Sequence, residues 1–326
     1  MEYASLASIQ NRVLNHNRDL TAAMLDVEIA KLNLRMAKAD QLRHADPVAV
    51  KFAEMEVAVA MQAVETLKHE LLLQAEEAYY LLIKNEQQTQ LAVQTKDYIQ
   101  TQLELTAAQY EEGLATQQDL DRMLLAATEI DHQLQKLEKE KELARMKLLR
   151  LMDLSYDHSF AIAEYDFEFA ELDLEADLME LLVENNPELR FLASELELAY
   201  LQHKLSHPDY TPDIICELNR LKYEKKSLIY RTRIDQLYLQ ALELQHQIEE
   251  LEAKYRELLQ QADLAKAYLE TVTLRHQEGL ELPLAVMEAE IEQNRTKTEL
   301  ISSLFAYNVA KARFANLIGL GLEGES

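Results

Sequence analysis

The stretch Tyr110-Glu-Glu-Gly-Leu114 occurs twice in this chain: His276-Gln-Glu-Gly-Leu280 follows it 166 positions later. Upstream, Asn17-Arg-Asp-Leu20 corresponds to Asn186-Pro-Glu-Leu189 at an offset of 169. The pattern downstream recurs as well: Ala144, Lys147, Leu148, Leu151, Met152 and Leu154 correspond to Ala310, Arg313, Phe314, Leu317, Ile318 and Leu320. A repeat of this length indicates one structural unit duplicated in tandem.

The composition predicts helix almost throughout. Only 5 Gly and 5 Pro occur among 326 residues, which leaves room for few turns. Hydrophobic residues make up 48% of the chain but aromatic residues only 7%, and Trp is absent. A core of Leu and Ala favours narrow helix–helix seams over a wide globular interior.

The charge and the N-terminus limit the classes of partner and compartment. A formal net charge of −25 argues against nucleic acid and anionic membrane surfaces, and solubility is a simpler interpretation of it than an acidic lumen. The single cysteine, Cys216, excludes an internal disulfide framework. The sequence predicts no membrane-spanning helix and shows no signal peptide, so the cytoplasm stays open as a compartment.

Both repeats follow the same plan of a medium helix, a proline break, a very long helix, a Gly-Leu turn and a returning helix. In the first, we expect helices at about 6–42 with a notch at 15–17, at 47–112 and at 117–152, with Thr116 as a cap. In the second, we expect them at about 174–206 with a break at Asn185-Asn-Pro187, at 214–278, and onward to Ile318. Heptad spacing from Ile234 to Val272 indicates a left-handed coiled coil.

The predicted fold class is therefore all-α, with two tandem repeats of long antiparallel coiled-coil helices. The repeats span 1–154 and 174–326, and 155–173 is a connector with at most a short strand near 159–169. The long helices reach roughly 100 Å at 1.5 Å per residue and need neighbours along their length. We expect one elongated domain overall.

The ordered markers of the two repeats resemble the TolC-like outer-membrane efflux proteins over nearly the whole chain. Besides the Gly-Leu turns they include Asn186-Pro-Glu-Leu189, Pro212-Asp-Ile214 and Ala315-Asn-Leu-Ile-Gly319. The resemblance implies the protomer of a hollow α-barrel, a homotrimer in the cell envelope that docks to a periplasmic adaptor protein of an efflux pump. It assigns the partner-binding tip to Gly113, Leu114, Asp119, Gly279 and Leu280.

The chain departs from the family at its two proline breaks, His44–Pro47 and His207–Pro212. The family carries a long strand pair at each break, and neither segment here is long enough for two membrane strands of about 9 to 11 residues. The tip pattern also differs, because Asp119 corresponds to Ala285 in the second repeat. The sequence is thus consistent with a member that naturally lacks these hairpins and equally with one from which they have been excised.

No residue pattern predicts chemistry. His203 and His207 have the i, i+4 spacing of a zinc pair, but Pro208 ends the helix there and a polar helix end is the better interpretation. We expect no catalytic, cofactor-binding or metal-binding residues, and an enzyme is the least favoured class. The primary hypothesis is a passive efflux or export conduit formed by an oligomeric helical tube. The alternative is a coiled-coil scaffold or spacer with the same fold and no transport.

Overall fold

The computed structural model describes residues 2–41, 47–163, 169, 172 and 177–319. Nearly all of these residues are helical, and the predicted all-α class is confirmed. In chain order the elements are β1 (Glu2–Ala4), α1 (Leu6–His16), α2 (Arg18–Gln41), α3 (Pro47–Glu111), α4 (Gln117–Leu151), β2 (Phe160–Ile162), α5 (Leu178–Asn185), α6 (Pro187–Leu205), α7 (Asp213–Gln277) and α8 (Pro283–Leu317).

The helix bounds repeat as closely as the sequence does. Helices α3 and α7 both have 65 residues, and α4 and α8 both have 35. Each pair begins and ends at the same offset of 166, so the turns 112–116 and 278–282 have equal lengths. We call these segments the first and the second glycine turn. Duplication has therefore preserved helix length and turn length, not only residue identity.

The breaks between α1 and α2 and between α5 and α6 are built by two corresponding asparagines. The Asn17 Oδ1 accepts hydrogen bonds from the backbone N–H groups of Asp19 (2.9 Å) and Leu20 (3.1 Å). The Asn186 Oδ1 accepts from the N–H of Leu189 at 3.0 Å, and its Nδ2 donates to the Leu317 carbonyl at 2.7 Å. Both asparagines are buried, and each supplies the cap that starts a new helix.

The returning helices also end alike, with a left-handed residue at corresponding positions. Asp153 follows α4 at a φ of 52°, and Gly319 follows α8 at a φ of 73°. A Cβ on Gly319 would lie 2.2 Å from the backbone oxygen of Asn185. The second repeat therefore requires glycine here, whereas the first accommodates Asp153.

The chain packs as two compact units, and each takes helices from both repeats. The turn unit comprises Met1–Asn11, Gln74–Phe169 and Glu250–Asn308, and contains both glycine turns. The connection unit comprises Arg12–Leu73, Ala170–Glu249 and Val309–Ser326, and contains the connection between α6 and α7. The domain bounds predicted from the repeats, 1–154, 155–173 and 174–326, stay a prediction.

In the turn unit, a narrow apolar seam joins α3 to α4. Ala92, Ile130 and Leu137 are buried in it, with Ile99 and Leu134 packed alongside. Ion pairs flank the seam between Lys96 and Asp131 (2.8 Å) and between Lys141 and Glu86 (3.1 Å). The corresponding residues of α7 and α8 are Leu258, Thr296 and Ser303, which are also buried. Ala92 corresponds to the larger Leu258, whereas Ile130 and Leu137 correspond to the smaller Thr296 and Ser303.

Among the described residues of the turn unit, one carboxyl group is buried. Glu76 is 8% exposed, and burial raises the pKa of its carboxyl group although Tyr80 donates a hydrogen bond to it. The Tyr80 ring stacks on Phe305 with centroids 4.5 Å apart, and burial, followed by the charge of Glu76, raises the pKa of its phenol. Leu242 occupies the corresponding position of the second repeat, so only the first repeat carries this group.

Three local features add to the secondary structure that the sequence predicts. The strand expected near 159–169 is present as β2 over Phe160–Ile162, whereas 164–168 of that segment lie outside the described residues. Its parallel partner β1, which pairs Tyr3 with Ala161, was not expected. Helix α5 begins at Leu178, where Asp177 caps it through the N–H groups of Met179 and Glu180, whereas the expected start near Leu174 lies outside the described residues. The connection 206–212 contains turns and no strand, whereas most of the first proline break (42–46) lies outside the described residues.

Over the described ranges, no helix is both long and apolar enough to serve as a membrane span.

Candidate functional site

Each glycine turn closes its long helix with a pair of backbone hydrogen bonds. In the first, the Gly113 N–H donates to the Tyr110 carbonyl (3.0 Å) and the Leu114 N–H to the Gln109 carbonyl (2.7 Å). In the second, the Gly279 N–H donates to His276 (2.9 Å) and the Leu280 N–H to Arg275 (2.8 Å). This is the Schellman motif in both cases.

The motif explains why glycine stands at both positions. Gly113 has a φ of 77° and Gly279 a φ of 75°, a conformation that costs other residues energy. No atom lies within 4 Å of a Cβ built on either glycine. The requirement is therefore for the backbone conformation and not for space.

The leucines that follow the two glycines face solvent and are not packed against the preceding helix. Leu114 is 76% exposed and Leu280 65% exposed, and Leu282 in the second turn is 70% exposed. Large apolar side chains clustered at a turn are a typical feature of protein interaction sites. The turns therefore combine a hydrogen-bonded backbone with exposed apolar groups.

Asp119 is held at the start of α4 by a capping box with Thr116. Its Oδ2 accepts hydrogen bonds from the Thr116 N–H (3.0 Å) and hydroxyl (2.6 Å), and its own N–H donates to the Thr116 Oγ1 (3.3 Å). The hydroxyl, then the backbone N–H, lowers the pKa of the Asp119 carboxyl group, with a smaller contribution from Arg122. The carboxylate therefore stabilises the first turn, and its orientation is set by Thr116.

The second turn is stabilised by different side chains. Helix α8 begins with Pro283, which is suited to the first helical position, and has no capping side chain. Arg275 and Glu281 form an ion pair of 3.0 Å across the turn. The His276 Nδ1 lies 2.8 Å from the Glu281 carbonyl oxygen. The two turns thus share a backbone and differ in their polar surroundings.

All five residues predicted for the tip lie on the two glycine turns or in the first turn of α4, within the turn unit. The exposed Leu282 and the ion pair of Arg275 and Glu281 were not predicted from the sequence. The run Glu281-Leu-Pro283 was the available signal, since proline at a helix start indicates where a turn ends. No contact tests the binding role of these residues, which stays a prediction.

The two histidines with the i, i+4 spacing of a zinc pair lie against tyrosine rings. His203 stacks on Tyr223 with centroids 5.9 Å apart, and His207 on Tyr210 at 5.5 Å. Among the described residues, no group of three or more His, Cys, Asp or Glu side chains could hold a metal ion.

No protein-family model and no curated protein matches the sequence. Solved structures do match: the fold is TolC-like. The Campylobacter jejuni CmeC outer membrane channel superposes with a TM-score of 0.74 at 11% identity, covering 98% of this chain and 87% of that one. The open-state Neisseria gonorrhoeae MtrE outer membrane channel gives 0.68 at 14% identity, with coverages of 98% and 91%.

The outer membrane protein VceC of Vibrio cholerae gives a TM-score of 0.66 at 17% identity, covering 98% of this chain and 97% of that one. These neighbours are outer-membrane proteins, two of them named as channels. At these identities the similarity establishes the fold, and the predicted resemblance is confirmed at that level.

Proposed function

We propose that this chain is the protomer of a passive efflux or export conduit in the bacterial cell envelope. Copies of the chain, three by analogy with the family, form a helical tube around an open centre. The glycine turns dock to a periplasmic adaptor protein. In this proposal the wall takes part in no reaction, and the conduit acts by enclosing its cargo.

The observation that carries this proposal is the pair of glycine turns. Two Schellman turns at the same offset present Leu114 and Leu280 to solvent on identical backbones. A scaffold or spacer needs the turns to reverse the chain, but it has no use for exposed leucines there. A docking surface uses both the rigid backbone and the exposed apolar groups.

The assembly is tested by light scattering in detergent-free buffer. A mass near three times that of the 37.7 kDa chain is the expected result, with ring-shaped particles in electron micrographs. A monomer at high concentration contradicts the tube.

The docking role is tested with the periplasmic adaptor encoded by the same genome. Leu114→Asp and Leu280→Asp should weaken its binding without changing the mass of the assembly. Leu264→Asp is the matched control, because Leu264 is 70% exposed on α7 and lies outside the turns. Equal binding by all three variants, or a genome with no adaptor, favours the scaffold.

A further inference from the structure

Two helix faces of the connection unit carry apolar side chains with the spacing of a coiled-coil seam. The α2 stripe consists of Leu25, Ile29, Leu32 and Met36, each 54–65% exposed. The α7 stripe consists of Ile214, Leu218, Leu221 and Leu228, each 49–79% exposed. Spacings of three, four and seven place each set on one helix face, which such a seam buries against another helix.

The internal repeat indicates what these faces contact. The α6 residues that correspond to Leu25, Ile29 and Leu32 are Ser194, Leu198 and Leu201. The α3 residues that correspond to Leu221 and Leu228 are Met55 and Gln62. All five line one groove between α3 and α6, and the Gln62 Nε2 donates to the Pro187 carbonyl at 2.7 Å. Within the chain, then, the corresponding faces of α3 and α6 face each other across this groove, and the hydrogen bond from Gln62 to Pro187 joins the two helices.

We propose that the α2 stripe of one copy packs against the α7 stripe of the next, using the internal contact between α3 and α6 as its template. The inference rests on the proposed tube and specifies its junction. The two faces differ, so the contact is heterologous and repeats from copy to copy until the ring closes. The contact between copies is then of the same type as the contact between α3 and α6 within a copy, and the two contacts alternate around the tube.

The template also gives the register. Helices α3 and α6 run antiparallel: Thr66 and His69 lie near the start of α6, whereas Met55 lines a groove with Leu198 and Leu201. Transposed through the repeat offsets, the contact of Gln62 with Pro187 becomes Leu228 opposite Arg18. One heptad towards the start of α7, which is one heptad towards the end of α2, Leu221 lies opposite Leu25. After a second heptad in the same direction, Ile214 lies opposite Leu32.

Charge supports the same pairing. Asp19, Asp26 and Asp40 are exposed beside the α2 stripe at heptad spacing, and Lys222, Lys225 and Arg231 are exposed on or beside the α7 stripe. In the part of the chain that the structure describes, none of these six groups has an ion-pair partner. The segment 220–233 holds six basic residues and one acidic residue in a chain of net charge −25. In the transposed register Asp26 lies beside Lys222, as flanking positions of antiparallel helices do.

Lys225 adds specificity to the junction. It occupies a seam position of the α7 stripe between Leu221 and Leu228. A single lysine within an apolar seam lowers stability but fixes register and oligomeric state. The carboxylates beside the α2 stripe give this lysine a partner only when the copies are aligned, so the junction rejects shifted pairings.

Disulfide cross-linking tests the register. In a Cys216→Ala background, Leu25→Cys combined with Leu221→Cys should give disulfide-linked multimers under mild oxidation. Leu25→Cys combined with Leu239→Cys is the control, because Leu239 is exposed on the same helix but about 27 Å further along. We expect the first pair to cross-link at least about ten times faster, since a disulfide requires Cα atoms within about 7 Å.

Three results overturn the inference: equal rates for both pairs, no cross-link in either, or dimers from Leu25→Cys alone, which indicate a symmetric contact. A trimeric mass by light scattering with ring-shaped particles in electron micrographs, but without the expected cross-link, excludes this junction and leaves the tube intact. A monomer at every concentration excludes both.

A charge exchange gives a second, independent measurement. Asp26→Lys should weaken self-association about three- to tenfold in low salt, and adding Lys222→Asp should restore it. The loss should diminish in high salt, because exposed charges are screened. An equal loss in the double variant contradicts the pairing of these residues.

Discussion

Gly113 and Gly279 end helices of identical length with the same left-handed backbone, at φ values of 77° and 75°. Neither glycine has a neighbour that a methyl group would strike. The pair therefore isolates the energetic cost of the backbone conformation from the cost of crowding.

Gly113→Ala and Gly279→Ala should each lower the free energy of unfolding by about 1–2 kcal/mol, the cost of a left-handed alanine. Urea titration followed by circular dichroism measures both. Gly319→Ala should cost more, because its methyl group meets the Asn185 backbone oxygen at 2.2 Å. Unequal losses at Gly113 and Gly279 contradict the equivalence of the turns.

Asp119→Asn should lower the melting temperature at pH 7, because the carboxylate accepts two hydrogen bonds from Thr116. These bonds lower the pKa of Asp119 in the folded protein, so their stabilisation is full above about pH 4. It is lost as the pH falls through the lowered pKa, so the difference in melting temperature from wild type should shrink in a series of melts at decreasing pH. Thr116→Val should not add to the effect, since the two side chains act together. Additive losses exclude the capping box as the cause.

Asn186→Asp should destabilise the protein at pH 7 by about 1–3 kcal/mol, because a carboxylate oxygen replaces the Nδ2 that donates to the Leu317 carbonyl. The protonated acid can donate this bond, so folding raises the pKa of the new carboxyl group. Stability should recover as the pH falls below that raised pKa. Urea midpoints at pH 4.5 and pH 7 measure the recovery. Asn186→Ala, which cannot titrate, should show no recovery.

Glu76→Gln should raise the melting temperature at pH 7. Burial raises the pKa of Glu76, so the charged carboxylate destabilises the fold at pH values above that pKa. Below the unfolded pKa of about 4.3 both forms are neutral, and the difference from wild type should vanish. The amide oxygen can still accept the Tyr80 hydrogen bond. A variant less stable than wild type at pH 7 means that the carboxylate has a partner that the amide cannot replace.

The sequence predicted the fold well because its signals were global. The 166-residue offset, the scarcity of glycine and proline, and the heptads of α7 are properties of long segments that no single contact overrides. The helix ends also followed, because Gly113, Gly279 and Asn186 each meet a local backbone requirement. The break at Asn17 was expected for the same reason.

The features that were not predicted depend on very short elements, on contacts between residues far apart in the sequence, or on side-chain orientation. Strand β1 has three residues and is defined by its pairing with Phe160–Ile162, more than 150 positions away, so no periodicity announces it. The capping role of Asp119 and the pair of Arg275 and Glu281 depend on side-chain orientation within the turns. The site residues could be named by resemblance, but their geometry could not.

The equal lengths of α3 and α7 constrain how related sequences can change. Adding one residue to only one of these helices shifts its glycine turn by about 1.5 Å and rotates it by about 100°. An insertion or deletion is therefore tolerated only in blocks of seven, and only when both halves of the gene acquire it. A survey of relatives should find indels in these segments as matched pairs, so that the duplicated halves lengthen or shorten together.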